Sequence, residues 1–385
     1  MKRKYRVLSF AAGFLMFLLH LPRNMQRAYA VPDRPELSAK ACALMDAETG
    51  QLVLGMNAQE KRPMASTTKI MTTLLTLESG DLDKPFTVDS EAIHVEGSSM
   101  GLQEGDTVTK RALCAGMLLP SGNDAANAAA VAVAGSIPDF LNLMNERAKK
   151  IGMTRSYFST PSGLDAEGHG ASAEDMALLA REALKNPDFA AICRKPSMTV
   201  TFGNPPCART LTNTNKLLKM DSTVIGVKTG FTDAAGRCLV SACTRGGRTL
   251  ICVTLFDRDD WNDHKKLYDY GFSLAEDCTL PLPDSLSIAA EGGSETAIPV
   301  YAREPLTLTA WRGIPPEITV SVLLPPFLTA PVAKGTPVGE LVYSGEHGEV
   351  ARLPLYTAKE LTAVKNEPKP RRSFFAWLKE IFRTG

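Results

Sequence analysis

Two stretches of strand-like sequence enclose a long helical middle, and this order restricts the fold more than any other feature of the chain. Ala41–Asp46 and Gln51–Met56 flank a tight polar turn and are expected to form a β-hairpin. From Ser66 to Leu77 the apolar period becomes helical, with Ile70, Leu74 and Leu77 on one stripe and Gly80 as a stop. Leu113–Leu118 is apolar, Asp124–Ala134 is alanine-rich, and Phe140, Leu143, Met144 and Ala148 recur at helical spacing. Ser172-Ala-Glu-Asp175 has the pattern of a capping box opening a helix over Met176–Leu184. Alternation returns in Met198–Phe202, Val224–Lys228, Arg237–Thr244 and Thr249–Leu255, and the amphipathic stretch Asp263–Ala275 closes the unit. Strands at both ends of one unit around a helical middle imply an α+β arrangement. Past Leu280-Pro-Leu-Pro-Asp284 the pattern changes to short alternating strands between Gly and Pro turns, such as Glu317–Leu324 and Gly339–Tyr343. A small β-rich second domain is expected there.

The ends differ in charge from the body. Residues 1–30 carry six basic side chains and no acid, and residues 365–385 carry six basic against two acidic. The body between them holds 31 basic and 40 acidic residues, net −9. An acidic body repels phosphate backbones, so no nucleic-acid partner is expected. Lys2–Arg6, the apolar run Val7–Leu21 and the small-x-small site Ala28-Tyr29-Ala30 read as a secretory signal over residues 1–30. The run is shorter than the ~20 residues that cross a bilayer. At the other end Phe374, Trp377, Leu378, Ile381 and Phe382 form one helical stripe among basic residues, after the spacer Pro368-Lys-Pro370. Thirteen residues at ~1.5 Å each do not span hydrocarbon, but they suit a helix lying on an anionic leaflet. Residues 363–385 are therefore read as a linker and an amphipathic anchor.

The eight cysteines mostly sit inside apolar runs and read as small buried hydrophobes. No Cys/His spacing suggests a metal site, the five histidines are scattered, and no cofactor is expected.

Three short motifs carry the chemistry. Ser66-Thr-Thr-Lys69 comes first, Ser121-Gly-Asn123 follows 55 residues later, and Lys228-Thr-Gly230 lies 107 beyond that. Each is common by chance, whereas the ordered set is characteristic of class A β-lactamases and penicillin-binding proteins. Ser66 is expected to open a helix, where free N–H groups favour developing negative charge, with Lys69 one turn on and in reach of its oxygen. Burial and a second cation, Lys228, would lower the lysine pKa enough for it to act as a base. Ser121 can relay a proton between Lys69 and the leaving amine, and Asn123 can hold a substrate amide. Lys228 and Thr229 suit a terminal carboxylate. The backbone after Gly230 would supply an oxyanion donor at Phe231.

Longer segments extend the match: Met64–Met71, Met117–Asn127, Ser162-Gly-Leu-Asp165 with His169, Asn213–Leu218 and Gly226–Gly236. With the signal, the small β-domain and the tail, the chain resembles the D-alanyl-D-alanine carboxypeptidases of the low-molecular-weight penicillin-binding family along nearly its whole length. That resemblance implies a β-lactamase/penicillin-binding-type catalytic domain, an antiparallel sheet with a helical subdomain, over residues 31–278. A small all-β domain would cover 279–362. It implies removal of the terminal D-alanine from the peptidoglycan stem pentapeptide through an acyl-enzyme, with β-lactam antibiotics as covalent inhibitors. It also implies an exported enzyme on the outer face of the cytoplasmic membrane. Catalytic roles fall on Ser66, Lys69 and Ser121; substrate-binding roles fall on Asn123, Lys228, Thr229, Gly230 and Phe231, the Ser66 and Phe231 amides forming the oxyanion hole. His169 and Asp175 are expected to be structural. Ser162 departs from the family, which often has His or Asn there.

Two rival readings remain open at this point. A serine β-lactamase on the same scaffold needs a carboxylate and an Asn to activate water; Asp139 and Asn142 offer the pair but follow Ser121 closely on a core-facing helix. A catalytically idle cell-wall binding protein would use the β-domain and has no need of the intact motif set.

Overall fold

The computed structural model describes residues 15–20, 32–280, 282–283, 285–312 and 318–364. The signal segment, apart from Leu15–His20, and the terminal amphipathic stripe lie outside the described residues. Among the described residues no helix is long and apolar enough to cross a membrane.

The hairpin Ala41–Asp46 and Leu52–Met56 forms, and it joins three later strands in one antiparallel sheet. The order is Leu52–Met56, Ala41–Asp46, Arg248–Leu255, Gly236–Arg245 and Val224–Thr232, which leaves Val224–Thr232 at an edge. The sheet separates two cores, because alternate residues of a strand face opposite sides. Ala41, Ala43, Met45, Val227, Val240 and Val253 face the helical subdomain. Cys42, Leu44, Leu239, Cys243 and Cys252 face the helix Asp260–Ser273 through Leu267 and Tyr268. Cys238 and Cys243, five positions apart on one strand, fall on opposite faces, and all eight cysteines are free thiols.

The helical middle is built around α1 (Lys69–Glu78), whose Ile70, Met71, Leu74 and Leu77 are buried. Packed on it are α2 (Lys110–Leu118), α3 (Asn123–Ala134), α4 (Ile137–Ile151) and α5 (Ala173–Leu184). Alanines on α3 let it approach α1 and α2 closely. Thr109, Ser136 and Ser172 each cap the following helix by accepting a backbone N–H. The capping box at Ser172 forms only its forward half. The Asp175 carboxylate turns away to accept from Arg155 N and Ser156 Oγ, both at 2.7 Å, and so ties an adjacent loop to α5.

Ser66 does not open the α-helix as the periodicity suggests. It sits in a 3₁₀ turn, Ala65–Thr68, that precedes α1. Ala65 holds φ +48°, and the Thr67 and Thr68 hydroxyls donate back to the Met64 and Ala65 carbonyls at 2.6 and 2.8 Å. Those short side-chain bonds compete with the regular helical ladder and tighten the turn.

Residues beyond 280 form the expected all-β unit. Ser287–Glu291, Ala297–Ala302, Thr319–Leu324, Pro337–Gly345 and Gly348–Thr357 share one sheet over Ile298, Val320, Val322, Leu341, Tyr343 and Leu355. Leu15–His20 pairs antiparallel with Thr319–Leu324. This unit meets the first through Trp311, whose indole Nε1 donates to buried Asp46 Oδ2 at 3.2 Å. Asp139 accepts the Ser136 hydroxyl at the exposed start of α4.

On the sheet face covered by the helix Asp260–Ser273, His264 is completely buried between Ser241 Oγ at 2.6 Å and Thr254 Oγ1 at 3.0 Å. Burial pushes its pKa down to about 3, so it stays neutral in the folded chain. A histidine of the unfolded chain takes up a proton near pH 6.5, which makes this group's contribution complete above that pH and progressively lost below it. The unfolding free-energy gap between the native protein and His264→Gln should therefore narrow as pH falls from 7.5 to 4.5. The slope should approach about 1.4 kcal/mol per pH unit below 6.5. A gap that stays constant in denaturant melts across that range would contradict this.

Candidate active site

The edge strand Val224–Thr232, the 3₁₀ turn before α1 and the turn before α3 converge on one cleft. Close backbone approach requires glycine at two places. A Cβ on Gly230 would meet Met64 O at 3.0 Å and Ser66 N at 3.1 Å, so the edge strand lies directly against the Ser66 turn. A Cβ on Gly163, which holds φ +88°, would meet Ala65 O at 2.0 Å, and the loop carrying Ser162 thereby reaches the same turn.

Lys69 is fully buried and its Nζ has three partners. It lies 2.9 Å from Ser66 Oγ, 2.6 Å from Asn123 Oδ1 and 2.6 Å from the Ser162 carbonyl. Two of these partners are pure acceptors, whereas the serine hydroxyl can also donate. A neutral amine has two N–H donors and one lone pair, which matches this set: two donors to Asn123 and Ser162, and the lone pair to the Ser66 proton. Burial, and then the Lys228 cation, hold the Lys69 pKa well below the ordinary lysine range, opposed by Asp124. The second lysine is equally enclosed. Lys228 Nζ donates to Ser121 Oγ at 3.0 Å and to the Thr229 carbonyl at 2.7 Å, and burial pushes its pKa down to about 7. Ser121 itself holds φ +68°, a conformation that costs an L-residue about 1–2 kcal/mol and is maintained by its surroundings.

The structure thus gathers Ser66, Lys69 and Asn123 in one hydrogen-bonded group, and Ser121, Lys228 and Thr229 in a second beside it. Ser121 bonds to Lys228, with no bond to Lys69 among the described contacts. Asn123 is engaged at both ends of its amide, because Nδ2 donates to the Glu96 carbonyl at 2.6 Å. The Thr229 hydroxyl meets Thr214 Oγ1 at 2.7 Å, and Thr214 N donates to the Leu119 carbonyl at 3.1 Å. Phe231 is 63% exposed at the mouth, and Thr232 Oγ1 donates to Asp165 Oδ1 at 3.0 Å across it. His169 stands behind the turn that carries Ser66. Its Nδ1 accepts from Ser159 N at 3.0 Å, which leaves the proton on Nε2, 2.9 Å from Thr68 Oγ1. Burial lowers its pKa to about 4. A neutral His169 buttresses the turn that holds Ser66.

Four contributions escape motif reading: the Ser162 and Glu96 carbonyls, the Thr214 hydroxyl and the Asp124 carboxylate. Backbone carbonyls carry no side-chain signature. Asp124 and Thr214 lay within matched segments, without a sign of their contacts.

In chemical terms, the cleft sets a hydroxyl beside a lysine whose pKa is held well below the ordinary range, the condition under which an amine can act as a base. It adds a second cation and a free sheet edge whose backbone N–H groups suit an oxyanion.

Residues 28–259 match the family model for D-alanyl-D-alanine carboxypeptidase, and residues 284–363 match that for the penicillin-binding protein 5 C-terminal domain. The D-alanyl-D-alanine carboxypeptidase DacC of Escherichia coli is 34% identical over 364 residues, covering 90% of this chain and 89% of the relative. DacF of Bacillus subtilis is 31% identical over 341 residues, covering 84% of this chain and 85% of the relative. Among solved structures, penicillin-binding protein 5 of Haemophilus influenzae superposes with a TM-score of 0.63 at 27% identity, covering 86% of this chain and 99% of that one.

Proposed function

The chain belongs to the D-alanyl-D-alanine carboxypeptidase family, and on that footing we propose that Ser66 is the nucleophile of its acyl transfer and Lys69 the base that activates it. The enzyme is a serine hydrolase that removes the terminal D-alanine of the peptidoglycan pentapeptide and binds penicillin. The observation that carries the assignment of roles is the Lys69 amine, buried beside a second lysine and 2.9 Å from the Ser66 hydroxyl.

In the forward step Lys69 takes the Ser66 proton as Oγ adds to the carbonyl of the penultimate D-alanine. The developing oxyanion is received by the Ser66 and Phe231 amides, where Gly230 lets the strand come close. As the C–N bond breaks, Ser121, whose resting partner is Lys228, relays the proton from Lys69 to the departing D-alanine nitrogen. Thr229 and Lys228 receive the terminal carboxylate, and Asn123 orients the acyl amide. Water then reverses the sequence and releases the shortened peptide.

The leader over residues 1–30 and the stripe Phe374–Phe382 support a further reading, that the enzyme is exported and rests on the outer face of the cytoplasmic membrane. The basic residues Arg371, Arg372, Lys379 and Arg383 add attraction to anionic lipid.

Wild-type enzyme should take a fluorescent penicillin covalently and release D-alanine from the pentapeptide, with little turnover of its C-terminally amidated analogue and of nitrocefin. Ser66→Ala should lose both labelling and D-alanine release without change in circular dichroism. Acylation of that variant at the native rate would remove Ser66 from the mechanism, and rapid nitrocefin turnover would restore the lactamase reading. For the membrane reading, the exported protein should begin at Val31, and deleting residues 371–385 should move it to the soluble fraction with pentapeptide activity intact. A truncated, processed protein that still sediments with membranes would place the anchor elsewhere.

A further inference from the structure

One buried carboxylate beside the site is used by none of the steps above. Asp124, the second residue of α3, is 3% exposed, and no cation neutralises it at hydrogen-bond distance among the described contacts. Its acceptor capacity is instead filled by the segment Ser99–Leu102. Oδ1 accepts from Met100 N at 2.9 Å and from Ala125 N at 2.8 Å. Oδ2 accepts from the Ser99 hydroxyl at 2.6 Å and from Gly101 N and Leu102 N at 3.0 Å each. Charge-assisted bonds of this kind are about twice as strong as neutral ones, and four of the five reach across 22 to 25 residues of sequence.

What the carboxylate holds is the wall next to Asn123. The residues just before that segment supply the Ser98 carbonyl, which accepts from Asn123 N at 2.7 Å, and the Glu96 carbonyl, which accepts from Asn123 Nδ2 at 2.6 Å. The other end of the Asn123 amide holds Lys69. The fit leaves no space for a larger residue between them. A Cβ on Gly122 would meet Asp124 Oδ1 at 2.7 Å and Met100 N at 2.9 Å, and one on Gly97 would meet Asn123 Nδ2 at 2.8 Å. The glycine of Ser-Gly-Asn is therefore a consequence of this wall.

We propose that Asp124 is a positioning residue of the reaction, hanging the wall 96–102 beside the cleft so that the Glu96 carbonyl fixes the Asn123 amide and, through it, the Lys69 amine. Asp124 also faces Lys69 as an anion from α3, opposite the Lys228 cation on the edge strand. These are the two charged groups that act on Lys69, since Ser66, Asn123 and Ser162 carry none. Removing the carboxylate charge should shift the Lys69 titration downward as well as loosen the wall.

The inference rests on Ser66 being the acylated residue, which the labelling experiment tests separately: an unlabelled wild-type enzyme defeats that reading whatever the wall does. Full-length Asp124→Asn keeps the volume but turns an amide N–H₂ toward backbone donors. Hydrogen exchange at Met100, Gly101 and Leu102 should quicken by at least about tenfold. The second-order acylation rate with fluorescent penicillin should fall by about tenfold to a hundredfold, the scale of a small misplacement of a catalytic group. The acid limb of its pH profile should move to lower pH, which a merely destabilised enzyme would not show. Ser99→Ala, which removes one of the five bonds and keeps the carboxylate charge, should fold and show the faster exchange and slower acylation at roughly fivefold, with the acid limb in its native place. Unchanged exchange at 100–102 in either variant would overturn the proposal. So would faster exchange with native acylation rate and acid limb.

Discussion

Two lysine amines share one dry cleft, and the arrangement around them follows from the cost of keeping them there. A single buried ammonium is expensive, and two in proximity are worse, so the pair is stable only if one gives up its proton and both find partners. Burial and the Lys228 cation both depress the Lys69 pKa, and its amine meets one hydroxyl and two acceptors. Lys228 is steadied by Ser121 and by the carbonyl of its own neighbour Thr229. The fold thus disfavours the charged form of Lys69 before any substrate arrives, with the Ser66 hydroxyl beside it.

Each structural element contributes to that condition. The antiparallel sheet leaves Val224–Thr232 at an edge, so one strand both buries Lys228 and presents unpaired backbone to a substrate. The helical subdomain surrounds α1 with apolar residues, and Lys69 is dehydrated because it begins that helix. Loops of quite different sequence position then supply the polar partners. Ser162 comes from the loop before α5, and Glu96 from the wall that Asp124 holds. His169 holds the Ser66 turn from behind through Thr68.

Much of this was legible in the sequence. Strand and helix periods located the hairpin, the helical middle and the second β unit, and the fold class follows from their order. The eight-residue run Arg237–Thr244 extends by one residue at each end in the structure, a small error in a strongly alternating strand. The three motifs marked the residues of both hydrogen-bonded groups: Ser66, Lys69 and Asn123 in one, and Ser121, Lys228 and Thr229, the last through its backbone carbonyl, in the other. The 3₁₀ turn at Ser66 was not visible, since Thr67 and Thr68 look like ordinary helix residues until their hydroxyls find the Met64 and Ala65 carbonyls. The Ser162 and Glu96 carbonyls were hidden for a different reason: any residue type has a carbonyl, and only chain geometry decides where it points. Asp124 lay inside a matched segment, and its sequence neighbours gave no hint of the four distant groups it collects.

The central claim concerns the proton on one amine, which can be observed directly. In protein labelled with ¹³C at lysine Cε, the Lys69 resonance can be assigned by its loss in Lys69→Met and followed through a pH titration. The account predicts that it titrates well below the ordinary lysine value near 10.4, with the neutral amine present at the enzyme's working pH. A Lys69 that keeps its charge up to that ordinary value would contradict the account, because Ser66 would then have no base beside it.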